Sequence, residues 1–220
     1  MSIKDNIDEI LNEIPKDVKL LAVSKTRTLD EMKEAYDAGM REFAENKVQE
    51  LLWKEEEFQK DVKWHLIGKL QRNKVKYIVG KVDLIHSLSS EKLLDTIETK
   101  FGEANETIDC LIQINIGRED SKSGVLVEEL DSLIEAVEKC KFVKVKGIMV
   151  IIPKGSEKEN REYFKETKKI FDSLKEKKFK NITMETLSMG MTNDYKIAIE
   201  EGSNTIRVGT GIFGERDYSV

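Results

Sequence analysis

The chain has 220 residues, of which 39% are hydrophobic and 36% are charged. This length and composition predict one folded domain with a sizeable core and exclude disordered and low-complexity classes. The formal net charge is −5, and the two signs interleave along the chain, so the overall balance lacks the basic footprint that nucleic acids require. No apolar run approaches the roughly 18 residues of a membrane-spanning helix.

Two features of the sequence bear on the compartment. The first fourteen residues combine acidic side chains with an amphipathic pattern, whereas a signal peptide has a basic start and an unbroken apolar stretch. The two cysteines, Cys110 and Cys140, lie in apolar or helical patterns, and we predict two buried thiols in place of a disulfide. The sequence therefore predicts a cytoplasmic protein.

Short apolar or β-branched runs alternate along the chain with longer stretches of helical period. Eight runs are typical of strands, at residues 20–25, 42–46, 62–68, 83–87, 107–116, 143–152, 183–188 and 205–208. Helical patterns cover residues 3–14, 29–36, 72–79, 93–101, 127–137, 164–174 and 195–201. Thr28 and Glu31 have the spacing of a capping box, in which each side chain satisfies a backbone N–H of the first helical turn.

Alternating strands and helices predict a parallel sheet with crossover helices. The count of eight strands favours closure into a single (β/α)₈ TIM barrel, with an extra helix at the N-terminus. We find no linker or long repeat, and we expect residues 1–220 to form one domain.

The active site of such a barrel lies at the C-terminal ends of its strands. Lys25 follows an apolar first strand, so its amine is expected at the barrel mouth, where desolvation favours the neutral form. A neutral amine can attack an aldehyde and form a Schiff base. The alternative is a solvated lysine that closes the strand.

Two glycine-bearing loops follow the seventh and eighth predicted strands, which is where phosphate sites often occur in these barrels. The two loops are Ser188-Met189-Gly190-Met191-Thr192 and Gly209-Thr210-Gly211, and the candidate binding residues in them are Ser188, Met189, Gly190, Met191, Gly209 and Thr210. Glycine allows backbone N–H groups to approach an anion closely, and hydroxyls add further donors. The alternative is a pair of tight turns.

Four further residues in predicted strands or at their ends have both a binding and a structural interpretation. Arg207 is a candidate partner for a phosphate or a cofactor ring nitrogen, or else a structural ion pair. Asn46 can bind a ligand hydroxyl or cap the next helix. His65, and with less support His86, is either a site residue or a hydrogen-bonded core histidine. We find no Cys/His metal spacing and no P-loop or dinucleotide motif, and we predict no metal.

Six separated motifs between residues 20 and 217 together resemble the pyridoxal phosphate homeostasis protein family, whose members look like the barrel domain of alanine racemase. The motifs are LLAVSKT (20–26), AENKVQE (44–50), WHLIGKLQRNK (64–74), LIQINI followed by SKSG (111–116 and 121–124), LSMGMTND (187–194) and IRVGTGIFGER (206–216). Two departures from the family pattern are Ala44, often Gly, and Lys69, often Pro.

The resemblance implies that pyridoxal 5′-phosphate (PLP) binds as a covalent aldimine to Lys25. It also implies phosphate contacts from Ser188, Gly209 and Thr210, helped by the backbone of Met189, Gly190 and Met191. By the same resemblance, Arg207 faces the pyridine nitrogen, and Asn46 and His65 line the cofactor pocket.

An arginine beside the ring nitrogen stays protonated and has no acceptor, so it keeps that nitrogen unprotonated and weakens the ring as an electron sink. Racemisation also needs a second base, which the resemblance places in a separate domain of a partner subunit, and we expect no such domain because this sequence ends at Val220. We therefore predict a monomeric PLP carrier that maintains PLP homeostasis and delivers the cofactor to apo-enzymes. The alternatives are a small PLP-dependent amino-acid racemase, with a base such as His65, and a sugar-phosphate-binding barrel without PLP.

Overall fold

The computed structural model describes residues 2–119 and 122–215. Within these ranges, eight parallel strands form a closed barrel in chain order, which confirms the predicted fold class. The strands are β1 (Lys19–Val23), β2 (Glu42–Glu45), β3 (Lys63–Leu66), β4 (Leu84–Leu88), β5 (Ile108–Ile114), β6 (Val143–Val150), β7 (Ile182–Ser188) and β8 (Thr205–Val208). No strand end differs from its predicted position by more than two residues. The barrel closes where β1 pairs with β8, with Leu20 opposite Ile206.

Helices follow the strands along the described part of the chain. They are α1 (Ile3–Glu13), α2 (Leu29–Asp37), α3 (Val48–Glu57), α4 (Val75–Ile78), α5 (Glu91–Glu103), α6 (Leu130–Val137), α7 (Glu157–Lys175), α8 (Tyr195–Glu200) and α9 (Thr210–Phe213). The predicted capping box of α2 is confirmed, because Thr28 accepts from the Glu31 N–H and Glu31 accepts from the Thr28 N–H. The prediction gave no bounds for α3, it missed α9, and it assigned Thr210 to a loop.

The predicted N-terminal helix is confirmed and belongs to the outer ring of helices. The helix that follows β8, α9, has only four residues, and α1 packs against both α9 and α2. The Asn6 side chain donates to the carbonyl of Ile212 at 2.8 Å, and Ile7 and Ile10 are buried in the core. The segment before the first strand thus covers barrel surface beside a short terminal helix.

Two apolar clusters reflect the alternation of side chains along each strand. Leu20 and Ala22 belong to the large cluster, which packs strands against helices. The small cluster, which fills part of the barrel interior, consists of Leu21, Val23, Ala44 and Ile67. The interior is only partly apolar, because it also contains polar side chains.

Three further observations, on cysteines, membrane-spanning helices and metal ligands, apply to the described residues. Cys110 and Cys140 are buried free cysteines, as predicted. No helix in these ranges is long and apolar enough to cross a membrane. The same ranges contain no group of three or more His, Cys, Asp or Glu side chains that could hold a metal ion.

Candidate functional site

A cavity of about 760 Å³ lies at the C-terminal ends of the strands. Its volume is in the range of small-molecule sites, and its position is the one that the barrel fold favours. Six of the ten predicted site residues line this cavity, namely Lys25, Asn46, Met191, Arg207, Gly209 and Thr210. The structure therefore brings together residues from the ends of β1, β2, β7 and β8.

Lys25 is half-buried at the cavity, two residues after β1 ends. The next residue, Thr26, has a φ of 64°, a left-handed conformation that is uncommon for a residue other than glycine. Its N–H donates to Glu50 Oε1 at 2.5 Å, and the N–H of Ser24 donates to the carbonyl of Ala44 at 3.1 Å. Hydrogen bonds from β2 and α3 thus fix the turn that carries Lys25.

A buried group of charged side chains lies directly behind this turn, and we call it the outer cluster (Ser24, Glu45, Glu50 and Lys54). The side chains of Lys54 and Glu45 are both fully buried. Lys54 Nζ donates to the Ser24 carbonyl at 2.6 Å, to Glu45 Oε1 at 2.8 Å and to Glu50 Oε1 at 2.7 Å. Burial raises the pKa of Glu45, although Lys54 and Ser24 counteract that effect.

The sequence pattern did not single out Lys54, because a lysine on an amphipathic helix is usually exposed. Its three acceptors all belong to the Lys25 turn or to residues that hold it. The outer cluster therefore braces the strand end that presents Lys25.

Arg207 is 3% exposed and lies at the cavity wall on β8. Its guanidinium donates to Ser188 Oγ at 2.6 Å and to the carbonyl of Val150 at 2.8 Å. Both of these partners are uncharged. Burial lowers the pKa of Arg207 to about 10, although Asp194 counteracts that effect, so the guanidinium remains protonated at neutral pH. A buried cation with uncharged hydrogen-bond partners favours an anion or a strong acceptor in the cavity.

The charged residues that line the cavity are mostly cationic. Lys25, Lys69, Lys122 and Lys154 line it together with Arg207, whereas Asp194 is the acidic residue among the described lining residues. Burial raises the pKa of the Asp194 carboxyl, which accepts from the Met191 N–H at 2.6 Å. Such a surplus of positive charge suits a phosphorylated ligand.

The two predicted glycine-bearing loops meet at the cavity. The Gly211 N–H donates to Thr192 Oγ1 at 3.2 Å and so ties the loop after β8 to the loop after β7. Gly190 has a φ of 97°, and a Cβ there would lie 2.7 Å from Ala198 Cβ. The glycine at position 190 is therefore required for backbone conformation and for packing against α8.

Four predicted residues are not part of the cavity lining: His65, Ser188, Met189 and Gly190. Met189 is fully buried in the outer apolar layer. Ser188 is also fully buried, and its hydroxyl faces Arg207 and His86. Direct contacts of these loop residues with a phosphate remain predictions.

The position of His65 corrects the prediction that it lines the pocket. His65 is 4% exposed, with Nδ1 at 2.9 Å from His86 Nε2 and Nε2 at 3.1 Å from Glu42 Oε2. Its side chain points into the barrel, towards groups nearer the strand starts, because Glu42 is the first residue of β2. The interpretation of His65 as a hydrogen-bonded core histidine is the correct one.

Asn46 lines the cavity, and Lys47 occupies the N-cap position of α3. The alternative interpretation of Asn46 as a helix cap is therefore wrong. A Cβ at Gly68 would lie 2.1 Å from the carbonyl oxygen of Asn46. Glycine after β3 thus lets two strand ends approach closely enough to shape this wall of the cavity.

The prediction missed several residues that line the cavity. They are Lys69, Gln113, Lys122, Ser123, Lys154, Asn160, Asn193 and Asp194, with apolar and glycine neighbours. Most of them lie within or next to the quoted motifs, so the motifs could have identified them as candidate site residues. Lys154 follows β6, and the strand-end rule applied to β6 would have found it. Ser121 and Arg216, in two of the motifs, lie outside the described residues.

Known proteins resemble this chain over most of its length. The family model for the alanine racemase N-terminal domain matches residues 1–217. The pyridoxal phosphate homeostasis protein of Aquifex aeolicus (strain VF5) is 43% identical over 202 residues, covering 91% of this chain and 88% of the relative. The protein of the same name from Escherichia coli (strain K12) is 37% identical over 209 residues, with 93% and 88% covered.

Solved structures agree with these sequence relationships. PipY of Synechococcus elongatus PCC7942, in a structure with PLP bound, superposes with a TM-score of 0.89 at 32% identity, over 96% of this chain and 100% of that chain. Alanine racemase of Clostridium difficile 630 is 16% identical, with a TM-score of 0.79 over 99% of this chain and 58% of that chain, and shares the fold. The chain therefore belongs to the pyridoxal phosphate homeostasis protein family and has the barrel fold of the alanine racemase N-terminal domain.

Proposed function

We propose that this protein binds PLP in the cavity, carries it on Lys25 as a Schiff base and thereby maintains the supply of the cofactor. The observation that carries the proposal is the placement of Lys25 in one cavity with Arg207, a buried cation whose hydrogen-bond partners are uncharged. The PLP bound to the similar PipY supports the choice of ligand.

The cavity residues fit the chemical groups of PLP. The lysines at positions 69, 122 and 154 supply positive charge for the phosphate, and Gly209 and Thr210 supply backbone N–H groups and a hydroxyl beside them. Asn46 can donate to or accept from the ring hydroxyl. Ser188 contributes from behind Arg207, because its hydroxyl is already engaged there.

The chemistry of Arg207 favours a cofactor carrier over an enzyme that uses the ring as an electron sink. A guanidinium has no acceptor, so it can donate to an unprotonated ring nitrogen but cannot stabilise a protonated one. An unprotonated pyridine is a poor electron sink, which disfavours the carbanion chemistry of transaminases. Arg207 thus supports a carrier over an enzyme that draws electrons into the ring.

The alternative of a small amino-acid racemase requires a second base at the cavity. His65 does not meet this requirement, because both of its ring nitrogens face His86 and Glu42 inside the barrel. Circular dichroism of L-alanine incubated with the PLP-loaded protein distinguishes the two functions. Turnover far above that of free PLP would favour the racemase.

Reversibility is the property that a carrier needs. The lysine amine and the aldehyde condense with loss of one water, and water or another amine reverses the bond. Delivery to apo-enzymes is part of this proposal, since an apo-enzyme lysine is such an amine.

We also keep two predictions from the sequence, a cytoplasmic location and a monomer. Cell fractionation tests the location, and light scattering tests the oligomeric state.

The decisive experiment traps the bond chemically. Borohydride reduction of the PLP-loaded protein, followed by peptide mass spectrometry, is expected to place the pyridoxyl group on Lys25. Lys25→Ala is expected to abolish the visible absorbance of the bound cofactor with little loss of folding, and Lys60→Ala, a change of an exposed lysine outside the cavity, is expected to retain it. A label on another lysine, or a Lys25→Ala protein that stays yellow, would contradict the Schiff base at Lys25. A wild-type protein that remains colourless with PLP would favour the sugar-phosphate alternative.

A further inference from the structure

A continuous line of polar side chains crosses the inside of the barrel, and we call it the lumen chain (Arg207, Ser188, His86, His65 and Glu42). Arg207 lies 2.6 Å from Ser188 Oγ, and Ser188 Oγ lies 3.1 Å from His86 Nδ1. His86 Nε2 lies 2.9 Å from His65 Nδ1, and His65 Nε2 lies 3.1 Å from Glu42 Oε2. Side chains from five strands therefore connect without a gap.

The lumen chain runs from the cavity towards the opposite end of the barrel. Arg207 lines the cavity, and Ser188 is the last residue of β7. Glu42 is the first residue of β2 and also pairs with Lys19, the first residue of β1, at 3.0 Å. Groups far from any bound cofactor are thus linked to a residue of the cavity wall.

If each imidazole carries a single proton, the types of group at the two ends set the direction of the hydrogen bonds between them. A guanidinium only donates, and an ionised carboxylate only accepts. Ser188 must therefore accept from Arg207, and its own proton points to His86 Nδ1. His86 then donates from Nε2 to His65 Nδ1, and His65 donates from Nε2 to Glu42.

The opposite arrangement leaves groups unsatisfied. If His86 carried its proton on Nδ1, the Ser188 proton would have no acceptor in the chain, and an unprotonated His65 Nε2 would face the Glu42 carboxylate. The His65 Nε2–Glu42 Oε2 contact, at 3.1 Å, is a close polar contact that lacks hydrogen-bond geometry, and the low pKa of Glu42 agrees with a favourable interaction there. Burial also lowers the pKa of His86, in agreement with a neutral ring.

We propose that His86 and His65 are positioning residues for Arg207: with Glu42 as the final acceptor, they orient the Ser188 hydroxyl so that its lone pair holds the guanidinium at the cavity. The inference rests on the proposed PLP site for its effect on binding, whereas the chain itself is a property of the cofactor-free protein. Neither histidine touches the cavity, so both act through Ser188 and Arg207.

The first test measures the proton positions without any cofactor. The chain contains two histidines, so NMR of the histidine-labelled apo-protein reports two imidazole rings. The proposed direction requires one proton on each ring, at Nε2. A proton on Nδ1 of His86, or a charged ring at either position, would overturn the proposed direction of the chain.

The second test compares two substitutions of the same buried ring. Asparagine at position 86 places its amide oxygen where Nδ1 stands and can still accept from Ser188, whereas glutamine reaches towards His65 and leaves Ser188 without that acceptor. His86→Gln is expected to weaken PLP binding about tenfold, as for one lost buried hydrogen bond, and to shift the absorbance of bound PLP. His86→Asn is expected to restore most of the affinity. Equal losses in both variants would indicate a merely structural role and overturn the proposal.

A matched control removes a buried hydroxyl that has no place in the chain. Ser87 is 1% exposed, lies next to His86, and its Oγ has no hydrogen-bond partner among the described residues. Ser87→Ala is expected to keep the PLP affinity within about twofold. In the apo-protein, the Arg207 Nε–H signal is expected to shift in His86→Gln and not in Ser87→Ala. An unchanged Arg207 signal in His86→Gln would overturn the positioning role even if the wild type failed to bind PLP.

Discussion

The outer cluster and the lumen chain are both buried and both end beside the cavity, but they handle charge in different ways. In the outer cluster, Lys54 contacts the carboxylates of Glu45 and Glu50 directly, at 2.8 and 2.7 Å. In the lumen chain, the charges of Arg207 and Glu42 stand at opposite ends, with a hydroxyl and two imidazoles between them. One arrangement is a compact ion cluster, and the other is a line of hydrogen-bonding groups between two separated charges.

The two arrangements are suited to different roles. A buried ion cluster contributes stability only while it is complete, because any charge that loses its partner stays desolvated. A line of hydrogen-bonded groups can fix the orientation of the side chain at its end, since each hydrogen bond sets the direction of the next. We therefore expect changes in the outer cluster to act mainly on stability, and changes in the lumen chain to act mainly on binding.

The largest expected loss of stability comes from removing the cation of the outer cluster. Lys54→Met leaves the Glu45 and Glu50 carboxylates close together without a counter-charge, which is expected to lower the free energy of unfolding by about 3–5 kcal/mol. Because Glu45 already has a raised pKa, it can accept a proton in the variant. The loss, measured by urea denaturation, is therefore expected to be smaller at about pH 5.5 than at about pH 8.

The control for this change is Lys60→Met. The Lys60 side chain is 68% exposed, so its replacement is expected to change the free energy of unfolding by about 0.5 kcal/mol or less. Equal and small effects of the two variants would mean that the outer cluster does not brace the Lys25 turn.

A smaller loss of stability is expected from removing a buried serine hydroxyl. Its size depends on whether the hydroxyl has a hydrogen-bond partner. Ser24 Oγ donates to Glu45 Oε1 at 2.6 Å, so Ser24→Ala is expected to lower the free energy of unfolding by about 2 kcal/mol. Ser87→Ala removes a buried hydroxyl that lacks a partner among the described residues, and it is expected to be neutral or slightly stabilising. Urea denaturation of both variants measures the difference, and a reversed order would contradict the importance of the Ser24 hydrogen bond.

The last prediction concerns the pH dependence of stability at the far end of the lumen chain. Burial by itself raises the pKa of Glu42, but hydrogen bonds from His65 and Lys19 outweigh burial and lower the pKa from 4.5 to about 2. The stabilising contribution of the Glu42 carboxylate is therefore complete above about pH 4.5 and is lost as the pH falls towards about 2.

Acid unfolding of the wild type and of Glu42→Gln measures this contribution. The difference in unfolding free energy between the two proteins is expected to shrink when the pH falls from about 6 to about 3. A difference that stayed constant over this range would show that Glu42 does not end the lumen chain as a carboxylate.

The strands and the strand-end residues were predictable from local patterns. Apolar runs such as 143–152 are long enough to stand out from the helical stretches around them, and Lys25 and Asn46 follow such runs directly. The bounds of α3 were not predicted, although Glu55, Glu56 and Glu57 were placed in a helical stretch with a solvated face. The four residues of α9 are too short to give a periodic signal.

The binding and packing roles of individual polar residues were less predictable. His65 and Asn46 both stand near strand ends, yet one faces the barrel interior and the other the cavity. Lys54, far along the chain from Lys25, becomes its neighbour only because β2 and α3 fold back behind the first strand end. Sequence spacing carries no information about such contacts.

By itself, the sequence determined the (β/α)₈ barrel, the family and the position of Lys25 at the rim, because these follow from periodicity and from motifs that are local in the chain. Only the tertiary structure decided which polar side chains share the cavity, which form the outer cluster and which cross the lumen. Burial and hydrogen-bond partners depend on strand register and barrel closure, which join residues far apart in the chain, such as His86 and Ser188, which are 102 positions apart.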